Sequence, residues 1–323
     1  MRRFFLQTSV TTILFGGLLA CLTGCGPATA TGTIPDTPEG WQQGYIKWVM
    51  RYGVGPPNVP NKEYQAAKSA FIDALAKRDK KAVEALLNDN FRWVEWNGEE
   101  HSKAQVLANL DALAKNYEGQ IDVQTTDFLD SVIRALGLHH DMRFAHLWAK
   151  GPAGWQAFIF MDMLIPAERN ASEDTPGPPR DPDADCENPC RTVPFTPADA
   201  AQAEVLKNWM EMKTAEWRPN PEVWGSHADI YHRSMYGGSD LPMLQHVGQL
   251  AMQQKLYNGK SGPGQPVLTM QMFTFGKVVI QEELEGRKGP EKPEIWKVRL
   301  FVDRGDGFKV AMSSQTRIAK NME

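Results

Sequence analysis

Between residues 167 and 198 the chain is dense in proline and aspartate and has almost no large apolar residue, so this stretch cannot supply a packed element. It divides the sequence in two, and the same pattern stands on both sides. On the N-terminal side, Tyr64, Lys68, Phe71, Ile72 and Leu75 recur at helical spacing, and after a break at Asp79 so do Val83, Leu86 and Leu87. A strand, Phe91 to Trp96, then runs into Asn97-Gly98. Ser102 caps a third helix with Val106, Leu107, Leu110 and Leu113 on one face. From Ile121 the signal turns to strands, ending in a hairpin of Met142–Ala149 and Trp155–Leu164 around Gly151-Pro152-Ala153-Gly154.

On the C-terminal side, Val205, Leu206, Trp209 and Met212 begin the series again, followed by a short helix at Val223-Trp224 and a strand Ile230–Tyr236 ending at Gly237-Gly238. Setting Phe91 against Ile230 puts Gly98 on Gly237, and with a small gap Leu107, Leu110 and Leu113 fall on Leu244, Val247 and Leu250. Strands Val267–Phe275, Val278–Leu284, Ile295–Asp303 and Phe308–Thr316 close the pattern. This repeat predicts an α+β chain of two tandem domains, residues 61–166 and 199–323, each a curved antiparallel sheet wrapped around helices and joined by the linker 167–198.

The run Phe71-Ile72-Asp73-Ala74-Leu75-Ala76-Lys77-Arg78-Asp79, then Ala82 to Leu87, then Phe91 to Gly98, resembles the SnoaL-like branch of the nuclear transport factor 2-like superfamily. The resemblance covers 61–166 well and 199–318 more loosely, and it rests on size and polarity rather than on invariant chemistry. It implies cone-shaped, cystatin-like domains with an apolar pocket in each, lined by Phe71, Trp93 and Trp96 in the first and by Trp209, His232 and Tyr236 in the second. Ketosteroid isomerases of that superfamily carry an acidic base on the first strand, where this chain has Glu95. Enclosure by Trp93 and Trp96 would raise the pKa of such a carboxyl and suit it to proton transfer. The alternative is a rim carboxylate that faces water or pairs with Arg92 or Lys103. Of the partner groups such an isomerase needs, only His146 is offered, since Phe71 occupies the helix position of the oxyanion-hole tyrosine. In the second repeat Ser234 replaces Glu95, which favours binding over turnover.

The N-terminus carries a different signal. Arg2 and Arg3, an apolar run from Ile13 to Leu22 too short to span a bilayer, and then small residues describe an export signal over 1–24. Leu22-Thr23-Gly24-Cys25 resembles a bacterial lipoprotein lipobox, which implies lipidation of Cys25 and anchoring to a membrane by acyl chains. Cleavage without lipidation, or the weaker string Leu18-Leu19-Ala20-Cys21, are the alternatives. Gly26 in place of aspartate implies the outer membrane in a host that has two. Residues 25–60 read as a tether followed by a short helix with Trp41, Tyr45, Trp48, Val49 and Tyr52 on one face. That face either lies in lipid headgroups or, the plainer reading, docks on the following domain.

Loss of Arg2 and Arg3 makes the formal net charge of −4 more negative by two, and nothing in that balance suggests nucleic acid. Of four cysteines, Cys186 and Cys190 remain once Cys21 and Cys25 are accounted for, and an oxidising compartment predicts a disulfide between them. Adjacent histidines in His139-His140-Asp141 would point to opposite faces of a strand, so they read as a loop rather than a metal site. Asp181, Asp183 and Asp185 alternate as in calcium loops but lack the glycine and the closing acid, and read as solvated linker charge. No metal and no cofactor is expected. The sequence therefore predicts an envelope lipoprotein that binds a small apolar ligand or a protein partner without catalysis. The alternatives are an isomerase or dehydratase acting through Glu95 with His146, and a structural pseudo-dimer formed by pairing of the two sheets.

Overall fold

The computed structural model describes residues 61–139, 142–164, 181–236, 239–286 and 292–318. The export signal, Cys25, the tether and its aromatic helix, His140, Asp141, residues 165–180 of the expected linker, and the side chain of Tyr236 lie outside the described residues. No helix of the described residues is long and apolar enough to cross a membrane.

The first half begins with α1 (Lys62–Lys77), which Asn61 caps by accepting from the Tyr64 N–H, and α2 (Lys80–Leu86), which Asp79 caps through the Ala82 N–H. Strands β1 (Leu87–Val94) and β2 (Glu100–Ser102) follow. The expected single third helix is two, α3 (Lys103–Ala108) and α4 (Leu110–Tyr117), broken at Asn109, and Ser102 and Gln105 form a capping box at the start of α3. Strands β3 (Ile121–Phe128), β4 (Val132–His139), β5 (Met142–Gly151) and β6 (Gly154–Leu164) complete this half. The sequence reading missed β4, every residue of which is buried and whose apolar run is interrupted by Arg134 and Gly137. His139 is therefore the end of a strand and not part of a loop.

The second half runs α5 (Ala200–Trp217), α6 (Pro221–Ser226), β7 (Ala228–Tyr236), β8 (Ser239–Pro242), α7 (Met243–Leu256), β9 (Val267–Phe275), β10 (Val278–Glu285), β11 (Ile295–Asp303) and β12 (Phe308–Arg317). The two sheets have the same strand order, β2-β1-β6-β5-β4-β3 and β8-β7-β12-β11-β10-β9. Both are mixed rather than antiparallel as expected, because β1 runs parallel to β6 and β7 parallel to β12. Parallel neighbours need a long crossover, and the intervening helices and meander supply it in each half. This is an α+β chain with two curved sheets.

Among the described residues, three apolar clusters hold the fold together. One fills the space between α1, α2, α4 and the first sheet, around Phe71, Leu75, Phe91, Trp93, Trp148 and Phe160. Its counterpart in the second half gathers Val205, Trp209, Met212, Trp224, Val279 and Phe301. The third lies between the sheets, where Val94, Leu147, Phe158 and Met161 of the first meet Ile280, Trp296, Leu300 and Met312 of the second. There the Phe158 ring stands edge-on to Phe273 at 5.0 Å and to Phe275 at 5.2 Å. The sheets thus face each other within one chain, with aromatic side chains at the contact. At the border the Thr316 hydroxyl donates to the Trp96 carbonyl at 2.8 Å, and Arg92 lies 3.7 Å from Glu282.

The described part of the expected linker packs on the second half. Asn188 pairs with Val267 as a strand would, its amide donating to the Val267 carbonyl and its side-chain oxygen accepting from the Val267 N–H, both at 2.9 Å. The Trp217 indole donates to the Ala184 carbonyl, and Val193 and Phe195 cover the cluster around Trp209. Composition excluded a helix or strand here and none forms. The segment is fixed instead by side-chain-to-backbone hydrogen bonds and by the Cys186–Cys190 disulfide, whose two cysteines are buried.

Candidate functional site

In the first half, α1 and α4 lie over the inner face of the sheet and bring Tyr64, Phe71 and Tyr117 against Trp93, His146, Trp148 and Phe160. Aromatic rings fill this interior. His146 stacks between Phe160, with centroids 3.9 Å apart, and Phe144, at 4.4 Å. Burial pushes its pKa well below the usual histidine value, so the ring is neutral, and neither of its nitrogens has a hydrogen-bond partner. Tyr64 and Tyr117 hold unpartnered hydroxyls nearby, and burial raises both phenols far above their usual range.

Glu95 does not lie in that interior. β1 ends at Val94, and Glu95 begins the turn to β2, where its carboxylate meets the His101 ring nitrogen at 2.7 Å with about a third of the side chain exposed. This is the rim position, but the partner is His101 rather than Arg92 or Lys103, which pair with Glu100 and Asp89. No hydrogen bond or ion pair joins Glu95 to His146. Trp96 is exposed, and Trp93 faces inward as expected.

Among the described residues of the first half the buried acid is Asp162, which the sequence reading overlooked. It interrupts the apolar run Phe158-Ile159-Phe160-Met161 of β6, and that interruption was the available signal. Its Oδ2 accepts from the Trp93 indole and from the Asn116 amide, both at 2.9 Å. Burial pushes its pKa up to about 6; the Trp93 and Asn116 hydrogen bonds oppose the rise, and the Glu95 charge adds to it.

The interior of the second half is different in kind. Along β10 the inward positions are Val279, Gln281, Glu283 and Glu285, and across the ladder β11 sets Arg299 opposite Gln281 and Lys297 opposite Glu283. The diagonal pairs form: Lys297 reaches Glu285 at 2.5 Å, and Arg299 bonds Glu283, which also accepts from the Gln281 amide at 2.7 Å. Helix α5 covers them with Trp209 and, one turn on, Lys213, which pairs with Glu216. The Arg299 guanidinium lies 5.7 Å from the centre of the Trp209 ring. Glu216 also accepts from the Trp224 indole at 3.1 Å, and His246 stacks on Trp224 at 4.1 Å. His232, also predicted, is buried beside Trp224, its Nε2 3.4 Å from the Ser234 hydroxyl.

Burial alone would raise the Glu285 pKa, but Lys297, Lys213 and Arg299 outweigh it and hold that carboxyl down at about 2. Glu216 is likewise held at about 2, chiefly by Lys213 against its own desolvation. Burial wins at Glu283, whose pKa rises, and at Lys297, whose pKa falls. Burial also keeps His232 and His246 neutral. Several atoms here lack partners: the Trp209 Nε1–H, one nitrogen of each histidine, the Gln281 Oε1 and the Glu285 Oε1. Unpaired polar atoms in a buried network are costly, and a bound molecule is one way to satisfy them. Trp209 and His232 are the predicted residues that belong to this site; the six charged groups were not singled out from the sequence.

Elsewhere, an open groove of about 370 Å³ lies between the disulfide segment and the outer side of α5, lined by Cys190, Pro197, Leu206, Lys207 and Met210. Among the described residues no three histidines, cysteines or acids are placed to hold a metal ion.

No family model matches the chain, and no curated protein matches it. Similar solved structures include an NTF2-like protein from Cytophaga hutchinsonii, 16% identical over 33% of this chain and 100% of that one, with a TM-score of 0.24. An NTF2-like protein of unknown function in nutrient uptake from Rhodospirillum rubrum is 21% identical over 32% of this chain and 98% of that one, with a TM-score of 0.23. A de novo designed protein with a curved β-sheet is 12% identical over 31% of this chain and 96% of that one, with a TM-score of 0.26.

Proposed function

We propose that this protein is a lipid-anchored binding module of the cell envelope, held through Cys25, whose ligand site is the interior of the second half. The observation that carries this reading is the buried network of Lys213, Glu216, Glu283, Glu285, Lys297 and Arg299, with unpartnered polar atoms on Glu285 and on its neighbours Trp209, Gln281, His232 and His246. A packed core has no need of three cations and three acids, because apolar side chains of the same volume stabilise a fold as well or better. The first interior is filled by aromatic rings and serves the fold. The ligand that suits the second is small and polar, in place of the apolar one that the sequence suggested. The test is native mass spectrometry of the full-length protein extracted gently from its own host. A retained small polar compound is expected. A protein that is bare in every preparation contradicts the reading.

A second reading has one specific observation in its favour. Asp162, with its raised pKa and with Glu95 near it, is a buried acid suited to proton transfer in the first half, in the role that the sequence assigned to Glu95 itself. An isomerase or dehydratase of this kind would exchange the α-protons of an enolisable ketone in deuterated water. Asp162→Asn would abolish that exchange, whereas exchange that survives the substitution, or is never seen, removes this reading.

A further inference from the structure

We infer that the interior of the second half binds a free zwitterion, an amino carboxylate with one ammonium and one carboxylate group. This deepens the binding reading above and rests on it.

Charge balance is the first support. Lys213, Lys297 and Arg299 stand against Glu216, Glu283 and Glu285, and each cation already has a carboxylate partner. A ligand with a single charge would leave one buried charge uncompensated, at a heavy cost in a site shielded from water. A ligand with both charges leaves the balance intact. It can exchange one internal pair for two ligand pairs.

The unpartnered atoms are the second support. Glu285 Oε1 and Gln281 Oε1 are buried acceptors without hydrogen-bond partners, and a ligand ammonium can donate to either. Trp209 Nε1–H is a buried donor without an acceptor, and a carboxylate fits it, with the Arg299 guanidinium beside the same ring. The free nitrogens of His232 and His246 complete the lining and can donate or accept. Both kinds of unmet group therefore occur in one interior, between α5 and β10.

The glycine- and proline-rich stretch Gly262-Pro263-Gly264-Gln265-Pro266 crosses the end of the network, and a side chain at Gly264 would come within 3.5 Å of the Lys213 ammonium. Asn188, through its pairing with Val267, and the Pro266 carbonyl, which accepts from the Gly286 N–H, fix the end of that stretch.

The experiment is isothermal titration calorimetry of the full-length protein, freed of bound molecules, with glycine and 4-aminobutyrate, and with butyrate and butylamine as the one-charge halves of the latter. One of the two amino carboxylates should bind, with each half at least tenfold weaker. Trp209→Phe, which keeps the ring bulk and removes the donor, and Glu285→Gln should each weaken binding about tenfold. If Glu285→Gln fails to fold, Trp209→Phe still decides. Butyrate or butylamine binding as tightly as the amino carboxylate overturns the zwitterion while the polar site stands. Failure of every probe in a protein that nonetheless retains a native compound also overturns the zwitterion alone. Failure in a protein that is always bare overturns both.

Discussion

At the scale of single residues, the groups that matter are those whose charge the fold opposes or enforces. Asp162 has a raised pKa, so the folded state holds its proton more tightly than the unfolded chain. Burial opposes its charged form, so its contribution to folding is present below about pH 4 and is lost as pH rises to about 6. Above this the penalty is about 3 kcal/mol for a shift of this size. Asp162→Asn removes the titration and keeps an oxygen for the Trp93 indole. Denaturant unfolding should find the variant about 2–3 kcal/mol more stable relative to the native chain at pH 8 than at pH 4; an equal difference at both would show that Asp162 titrates normally. This residue also shows how far the site could be read beforehand. Glu95 was expected within a first strand reaching Trp96, but β1 stops two residues earlier, at Val94, and that end puts Glu95 in the turn instead of the interior. Trp93, Phe71, Trp209 and His232 are large or distinctive enough to declare their burial. Glu283, Glu285, Lys297 and Arg299 alternate with apolar residues in a way that reads as a solvent-facing strand side, and only the helix laid across them makes them interior.

At the scale of elements, apolar spacing gave α1, α2 and α5, because each buries one face, and apolar runs gave most strands, including β5, β6 and β11, which are buried along nearly their whole length. β4 escaped because Arg134 and Gly137 interrupt its apolar run, and the break of the third helix at Asn109 escaped because the apolar spacing continues through it. The parallel joins escaped as well, since strand order follows from crossovers and leaves no local pattern. The contact between the sheets makes two predictions. Phe158 is fully buried against Phe273 and Phe275, so Phe158→Ala should cost about 3–5 kcal/mol in an unfolding titration. A cost under about 1 kcal/mol would mean that the faces are not closed on each other. Gly98 has φ +80°, and a Cβ there would stand 2.7 Å from the Ile318 backbone. Gly98→Ala should therefore cost more than the roughly 1 kcal/mol of left-handed strain alone, and its excess should shrink in a chain cut before Ile318, where only the Arg317 carbonyl at 3.0 Å remains close.

For the whole molecule, opposing titrations set the pH of greatest stability. Glu216 and Glu285, held at about 2, contribute stability above their unfolded pKa near 4.5 and lose it as pH falls toward 2. Glu282, buried between the sheets beside Arg92, has its pKa pushed up by burial to about 8, so its contribution is present below pH 4.5 and is lost as pH rises to 8. With Asp162 acting in the same direction, stability should peak in mildly acidic solution and fall on both sides, and Glu282→Gln should flatten the alkaline limb. A profile that rises steadily to pH 8 would refute this balance. The two halves share a strand order but divide the work, one filled with rings and the other with paired charges. Hydrogen–deuterium exchange of the full-length protein, as purified and after removal of bound molecules, tests that division most directly. Removal should speed exchange in α5, β10 and β11 and leave α1, β5 and β6 unchanged. Faster exchange in the first half instead, with the second half unaltered, would contradict the account.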